Sequence, residues 1–477
     1  MKVVALGSTI LALAGSALVA GSGAASAADL PAKVYRKAPP MVVQAYNWTG
    51  FYVGVNAGIG FGRSKTDVAL AGGLVDPRSR VGGLGGLGGA QIGYNWQAGN
   101  MFGLGNIVFG VEADIQGAGL EDNRTSVASG LGSNVGINQK LDWFGTARGR
   151  IGVASGPVFS YFTGGFAYGN VKTNVFGPVG TFNDTYSSTR TGWTIGSGVE
   201  AALGGNWTGK VEYLYVDLGT QSGTNTLVPY TYSSEIREHI FRAGLNYRFG
   251  GTGVYAPEPV ANWTGFYIGG NGGGGTALNK SSLQATGFKE NFNLSPDGYF
   301  GGGQIGYNWQ AGNIVYGLET DIQGGSLKDD FACGLACAPT APLLIAYNQK
   351  MEWFGTVRGR LGYSVGSSLF YATGGFAYGN VKTSLLGSAL GTPIDQSFSR
   401  TKTGYAVGGG IESPFDLFGW FGKNWTSKTE YLFVDLGRAN DSFTVGGTAL
   451  TFSTRAQEHM LRTGLNYHFN SPVVAKY

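Results

Sequence analysis

Charge is scarce in this chain. Charged residues fill 13% of its 477 positions, about half the share of an ordinary soluble domain. That is too little to cover a water-facing surface. Neither sign dominates, with 33 Lys and Arg against 29 Asp and Glu. With no basic run either, nucleic acid is not an expected partner. Past the N-terminal segment there is no run of 18 apolar residues, which excludes a transmembrane helix. Glycine is abundant, at 85 residues, but lacks the G-X-Y period of collagen. Hydrophobic residues at 43% and aromatics at 13% argue against disorder.

What is present begins with an export signal. Lys2 precedes an apolar, small-residue run from Val3 to Ala20, and Ala25-Ser26-Ala27 suits a cleavage site. Residues 1–27 are therefore read as a signal peptide, and 28–46 as a proline-containing periplasmic leader.

The rest is said twice. "NWTGFYVG" at Asn47 returns as "NWTGFYIG" at Asn262, and "WFGTARGRIG" at Trp143 as "WFGTVRGRLG" at Trp353. "TGGFAYGNVKT" recurs at Thr163 and Thr373, and "EYLYVDLG" at Glu212 as "EYLFVDLG" at Glu430. A repeat this long means duplication of a domain, not a solenoid. Residues 47–249 and 262–469 are the expected units, joined by a linker at 250–261 and followed by a tail at 470–477.

Within a unit the period is two, the signature of strands. In "IVFGVEADIQ", Ile107, Phe109, Val111, Ala113 and Ile115 alternate with Gly110, Glu112, Asp114 and Gln116. Eight such segments are expected in the first unit, near 50–62, 84–96, 106–120, 138–153, 156–173, 189–205, 206–219 and 236–249. Long polar connections alternate with short turns such as "ASGP" and "GGN". That alternation is the topology of an outer-membrane barrel. The "NWT" tripeptides then read as strand ends, not glycan acceptors. Trp48, Trp96, Trp207, Trp263, Trp309 and Trp425 are expected to form an aromatic girdle at the periplasmic interface.

The inward face carries the charges. Glu112, Asp114, Glu200 and Glu212 oppose Arg148, Arg150, Lys210, Arg242 and Arg248 in the first unit. In the second, Glu319, Asp321, Glu412 and Glu430 oppose Arg358, Arg360, Lys428 and Arg462, with His468 replacing an arginine. An eight-stranded barrel is just wide enough to be filled by side chains, and a buried charge there needs a partner. Near-balanced signs therefore point to an ion-paired plug; the alternative is a selectivity ring.

Catalytic signals are thin. Glu112 and Asp114 share a face but have cations to pair with, and no serine is singled out beside His239 or His459. The expectation is a protein that is not an enzyme and carries no cofactor or metal. "GGLGGLGG" at Gly82 lacks the Lys-Ser/Thr tail of a phosphate loop. Cys333 and Cys337 are the only cysteines, and a close pair in an exported chain reads as a local disulfide.

The leader "ADLPAKVYRKAPP" and the motifs "NWTGFYVG", "GGFAYGNVKT", "EYLYVDLG" and "GLNYRF" resemble the alphaproteobacterial outer-membrane immunogenic protein family, which are OmpA-type, porin-like surface antigens. The resemblance runs from about residue 29 to 469 and implies an eight-stranded barrel exposed at the cell surface of a Gram-negative bacterium. Two departures stand out: there are two units, and Phe469 is followed by "NSPVVAKY", which leaves open which aromatic signals assembly.

The resulting expectation is an all-β protein of the cell outer membrane: two tandem, antiparallel, up-and-down eight-stranded transmembrane β-barrels. Its partners are outer-membrane lipid and the outer-membrane assembly machinery, and its role is that of a structural surface antigen with at most small-solute passage. One sixteen-stranded diffusion porin is the alternative. A lipocalin-like soluble periplasmic binding barrel is less favoured, because lipocalins keep apolar residues inside.

Overall fold

Period-two alternation becomes backbone pairing along almost the whole chain. A computed structural model describes residues 46–470, except 63, 71–72, 82, 101–105, 129–132, 178–181, 227–228, 250–260, 278, 287, 333–342, 390–391 and 416–420. The expected signal peptide, nearly all of the leader and linker, most of the tail, and Cys333 and Cys337 lie outside the described residues.

The first repeat forms β1 (Gly50–Gly62), β2 (Ser64–Leu70), β3 (Gly73–Val81), β4 (Leu84–Asn100), β5 (Asn106–Ala128), β6 (Ser133–Ser155), β7 (Val158–Phe176), β8 (Asn183–Gly204), β9 (Trp207–Asn225) and β10 (Tyr230–Phe249). Eight of these form an antiparallel ring in the order β1-β4-β5-β6-β7-β8-β9-β10, which closes by pairing β1 with β10. The short hairpin β2–β3 extends the wall by pairing β2 with the outer half of β10.

The second repeat forms β11 (Gly265–Ala277), β12 (Asn279–Ala285), β13 (Phe288–Leu294), β14 (Asp297–Ala311), β15 (Ile314–Ala332), β16 (Leu343–Val365), β17 (Ser368–Ala389), β18 (Thr392–Pro414), β19 (Trp425–Val445) and β20 (Thr448–His468). It repeats the ring and closes by pairing β11 with β20. Among the described residues, β10 pairs with β1, β2 and β9, not with β11. That makes two closed barrels, not one sixteen-stranded pore.

Two things exceed the sequence expectation. The strands run well past their expected outer ends, and Ser64–Leu70 pairs with Gly73–Val81 as a hairpin where a loop is expected. The reason is an inversion of the pattern. In the lower half of β10, Ala243, Leu245 and Phe249 face out while Arg242, Asn246 and Arg248 face in. In its upper half, Tyr230, Tyr232, Ile236 and Ile240 are buried inside, and Thr231, Ser233, Glu235 and Arg237 face out. The lower half is patterned for lipid, and the upper half for water.

Turns on the short side are tight. Gly156 and Gly366 each adopt φ of 57°, a left-handed conformation that glycine takes at little cost.

Candidate functional site: the barrel lumens

Inward-facing positions of neighbouring strands place the expected charges at one level of each lumen. Arg148 on β6 donates from Nη2 to Glu112 Oε1 at 2.5 Å and Asp114 Oδ2 at 3.0 Å, both on the adjacent β5. Its Nη1 reaches across to Glu212 Oε1 on β9 at 3.0 Å. Lys210 on β9 reaches Glu112 at 2.9 Å. β9 and β5 stand opposite each other in the ring, so this bond spans the lumen. Arg150 joins Glu112 at 3.0 Å and Glu200 at 2.6 Å. Arg242 joins Glu212 at 2.6 Å and Asp114 at 2.8 Å. All eight side chains are buried. Charges of this kind are stable in a low-dielectric interior only when paired and hydrogen-bonded.

The second lumen repeats the arrangement. Arg358 meets Glu319 at 2.5 Å, Asp321 at 3.0 Å and Glu430 at 3.0 Å. Lys428 crosses to Glu319 at 2.8 Å, Arg360 meets Glu412 at 2.7 Å, and Arg462 meets Glu430 at 2.6 Å and Asp321 at 2.9 Å.

Arg248 stands apart from the cluster. It donates to the carbonyl oxygens of Asn47 and Thr49 and lies over the rings of Tyr46 and Trp48. His468, at the matching position, instead sets Nε2 3.0 Å from Glu412 Oε1.

Neutral partners complete each network, and the charge pattern alone does not reveal them. Tyr52 donates to Glu112 at 2.8 Å and Tyr161 to Glu212 at 3.0 Å. A chain of amides runs from Asn56 through Gln91 and Asn246 to Glu200, with links of 2.6, 2.6 and 2.9 Å. Tyr267, Tyr371, Asn271, Gln304 and Asn466 do the same in the second barrel. Their signal in the sequence was parity: each shares the inward face with the charges.

Above each charge layer lies an apolar one. In the first barrel Leu120, Leu141, Phe144, Leu214, Ile236 and Ile240 fill the section. In the second, Phe300, Leu327, Met351, Phe354, Leu432 and Met460 do so. Glu238 and Glu458 are buried at this level, and in each one carboxylate oxygen has no hydrogen-bond partner.

The girdle expectation needs a correction at two of its six tryptophans. Trp48 and Trp263 are fully buried. Trp48 packs on Phe159 and donates from Nε1 to the Gly156 carbonyl at 3.1 Å. Trp263 donates to Ser364 Oγ at 3.1 Å. Both share parity with the inward tyrosines Tyr52 and Tyr267, so they close the periplasmic mouths of the lumens. Trp96, Trp207 and Trp309 are exposed and Trp425 is partly so. These four pack tilted or edge-on against Tyr94, Tyr247, Tyr307 and Tyr467 at centroid distances of 4.6 to 5.4 Å.

A second aromatic level sits at the other end of the apolar face, where Trp193 meets Tyr215 at 5.4 Å and Trp353 meets Tyr378 at 6.1 Å. From Trp207 to Tyr215 the strand rises about 27 Å, or about 20 Å along the barrel axis at the usual tilt. With the depth of the rings added, that matches an apolar band about 25 Å tall.

The outer-membrane protein beta-barrel domain model matches residues 15–249 and again 251–469. The chain belongs to that family. It is a protein of the outer membrane, embedded in its lipid. The 31 kDa outer-membrane immunogenic protein of Brucella melitensis biotype 1 is 37% identical over 218 residues, 43% of this chain and 86% of the relative. The 22 kDa outer membrane protein of Rhizobium leguminosarum bv. viciae is 33% identical over 214 residues, 44% of this chain and 81% of the relative. Among solved structures, Neisserial surface protein A aligns with 42% of this chain and 98% of its own length, at 17% identity and a TM-score of 0.21.

Beyond the outer aromatic level one cation stands out. Lys402 on β18 is buried, and its Nζ reaches the Thr454 carbonyl at 3.5 Å. Burial pushes its ammonium down to about 8, against the pull of Asp441.

Proposed function

We propose that each barrel is a closed, side-chain-filled cylinder and that the chain serves as a structural, surface-displayed protein with at most slow passage of small solutes. One observation carries this reading: Lys210–Glu112 and Lys428–Glu319 bridge opposite walls at 2.9 and 2.8 Å. An aqueous channel would have to break those bridges and the apolar layer above them. Inserted by the outer-membrane assembly machinery, such a chain presents its long outer strands to the medium. The word immunogenic in the name of the Brucella melitensis relative supports that display.

The test is a planar-bilayer recording of the purified full chain, paired with antibody labelling of intact cells. The reading predicts no nanosiemens steps and surface label. Regular large steps from the unmodified chain would favour a diffusion pore and overturn it.

A further inference from the structure

The two repeats differ in one place that barrel building does not require. On the lipid face of β1 stand Val55, Ala57, Ile59 and Phe61. At the matching positions of β11 stand Gly270, Gly272, Gly274 and Thr276. The second barrel has no large apolar side chain along this strip, and Gly272, Gly274 and Thr276 face the first barrel. The barrels touch at equal heights, with Phe61 on His459 at 4.1 Å and Phe241 on Tyr431 at 5.0 Å between ring centroids. Beside these contacts a groove of about 710 Å³ remains open, within the roughly 300–1,000 Å³ of small-molecule sites. Ile195, Ser197 and Phe241 form one wall, and Gly272, Gly274 and Leu461 the other.

We propose that this groove binds one phosphate-bearing membrane lipid, seating two of its acyl chains. Position argues for the acyl chains. The groove opens on the lipid-facing surface at the level of Tyr213 and Tyr215, where the outer aromatic level marks the upper edge of the apolar band, so hydrocarbon is what surrounds it. Charge at the rim argues for the phosphate. Lys65 is exposed there, and its side chain has no ion pair or hydrogen bond among the described residues. Arg237 beside it is already held by Glu235 at 2.9 Å and Asp217 at 3.4 Å, and Asp297 faces them from the second barrel. Lys65 is thus the rim cation left to meet a phosphate oxygen. The glycine strip gives the chains room, since a missing side chain leaves smooth backbone against which methylenes pack.

The groove can be filled without touching either lumen. A Cβ at Gly272 would meet only the Phe300 carbonyl at 3.6 Å, and one at Gly274 the Gly298 carbonyl at 3.6 Å and the Tyr299 ring at 3.9 Å. These are ordinary contacts. The test is native mass spectrometry of the full chain released from detergent after incubation with dipalmitoyl phosphatidylglycerol or with dipalmitoylglycerol. The native chain should retain one phosphatidylglycerol. Gly272→Leu with Gly274→Leu should cut retention at least fivefold, as should Ser197→Trp from the opposite wall. Lys65→Gln should weaken phosphatidylglycerol retention and leave dipalmitoylglycerol unchanged. Gly86→Leu, outside the groove on a lipid-facing position with no atom near its added Cβ, should change nothing. Folding of each variant is checked by its heat-modifiable band, and Ser197→Trp decides the matter if the glycine pair does not fold. No retained lipid in the native chain, or equal retention in the filled variants, overturns the proposal.

Discussion

Replacing Arg148 by methionine removes the cation that holds three carboxylates together while keeping most of its volume. In the native lumen Glu112, Asp114, Glu200 and Glu212 balance Arg148, Arg150, Lys210 and Arg242. After the change Glu112 retains Arg150 and Lys210, Asp114 retains Arg242, and Glu212 retains Arg242 and the hydroxyl of Tyr161. One buried negative charge is left over. Removing one partner of a buried ion pair costs about 3–5 kcal/mol, and the lost bond to Glu212 crosses the lumen, where no neighbouring strand can replace it. Urea unfolding of the full chain in detergent micelles, followed by tryptophan fluorescence and by the heat-modifiable gel band, reads that cost. Two separately closed barrels should give separable transitions. Arg148→Met should move one and Arg358→Met the other. Adding Asp114→Asn to Arg148→Met restores charge balance and should recover about 1–3 kcal/mol. A loss below about 0.5 kcal/mol, the scale of a solvent-exposed pair, would mean that the cluster is hydrated and the lumen wet. That result would refute the reasoning.

Trp48→Ala should destabilise the first barrel by about 3–5 kcal/mol, the usual cost of emptying a buried aromatic site. Trp207→Ala, at a half-exposed girdle position, should cost clearly less in the same urea titration. Lys402 gives a pH signature of defined sign. Burial holds its pKa at about 8 in the folded chain against an ordinary 10.5, so between those limits the unfolded chain holds a proton that the folded chain has released. Stability should therefore rise with pH across that window, with the full penalty present below about 8. Lys402→Met should abolish the slope and raise stability near neutral pH by at most about 3 kcal/mol. Urea midpoints of both chains across the window check it, and an unchanged slope would refute it.

The membrane half of each barrel was legible because lipid and lumen impose opposite demands on alternate residues. Glu112 and Asp114 lie on one face of "IVFGVEADIQ", and Arg148 and Arg150 on one face of "WFGTARGRIG"; the structure brings the four together. The halves outside the membrane were not legible as strands, because their pattern inverts. Ser64–Leu70 and the outer part of β10 keep the period of two but put polar residues outside, which reads as loop when the membrane pattern is expected. Trp48 and Trp263 depart from the girdle expectation because position beside the interface suggests a girdle, while their parity with Tyr52 and Tyr267 points inward. The amide chain through Gln91 and Gln304 is not legible in the charge pattern, because neutral side chains give no charge balance.

Closure of each repeat on itself is the central claim, and a pair of engineered cysteines tests it directly. In two barrels Ala57 on β1 lies opposite Ala243 on β10, and both face outward. In one sixteen-stranded barrel β1 would instead pair with β20, whose matching residue is Thr463, the partner of Gly272 in the observed register. Directly opposed strand residues have Cα atoms about 4.5–5.5 Å apart, within disulfide reach. In a background with Cys333→Ser and Cys337→Ser, the pair Ala57→Cys and Ala243→Cys should cross-link efficiently on mild oxidation of the folded protein, and more readily than Ala57→Cys with Thr463→Cys. Efficient cross-linking of the second pair, without the first, would contradict the account.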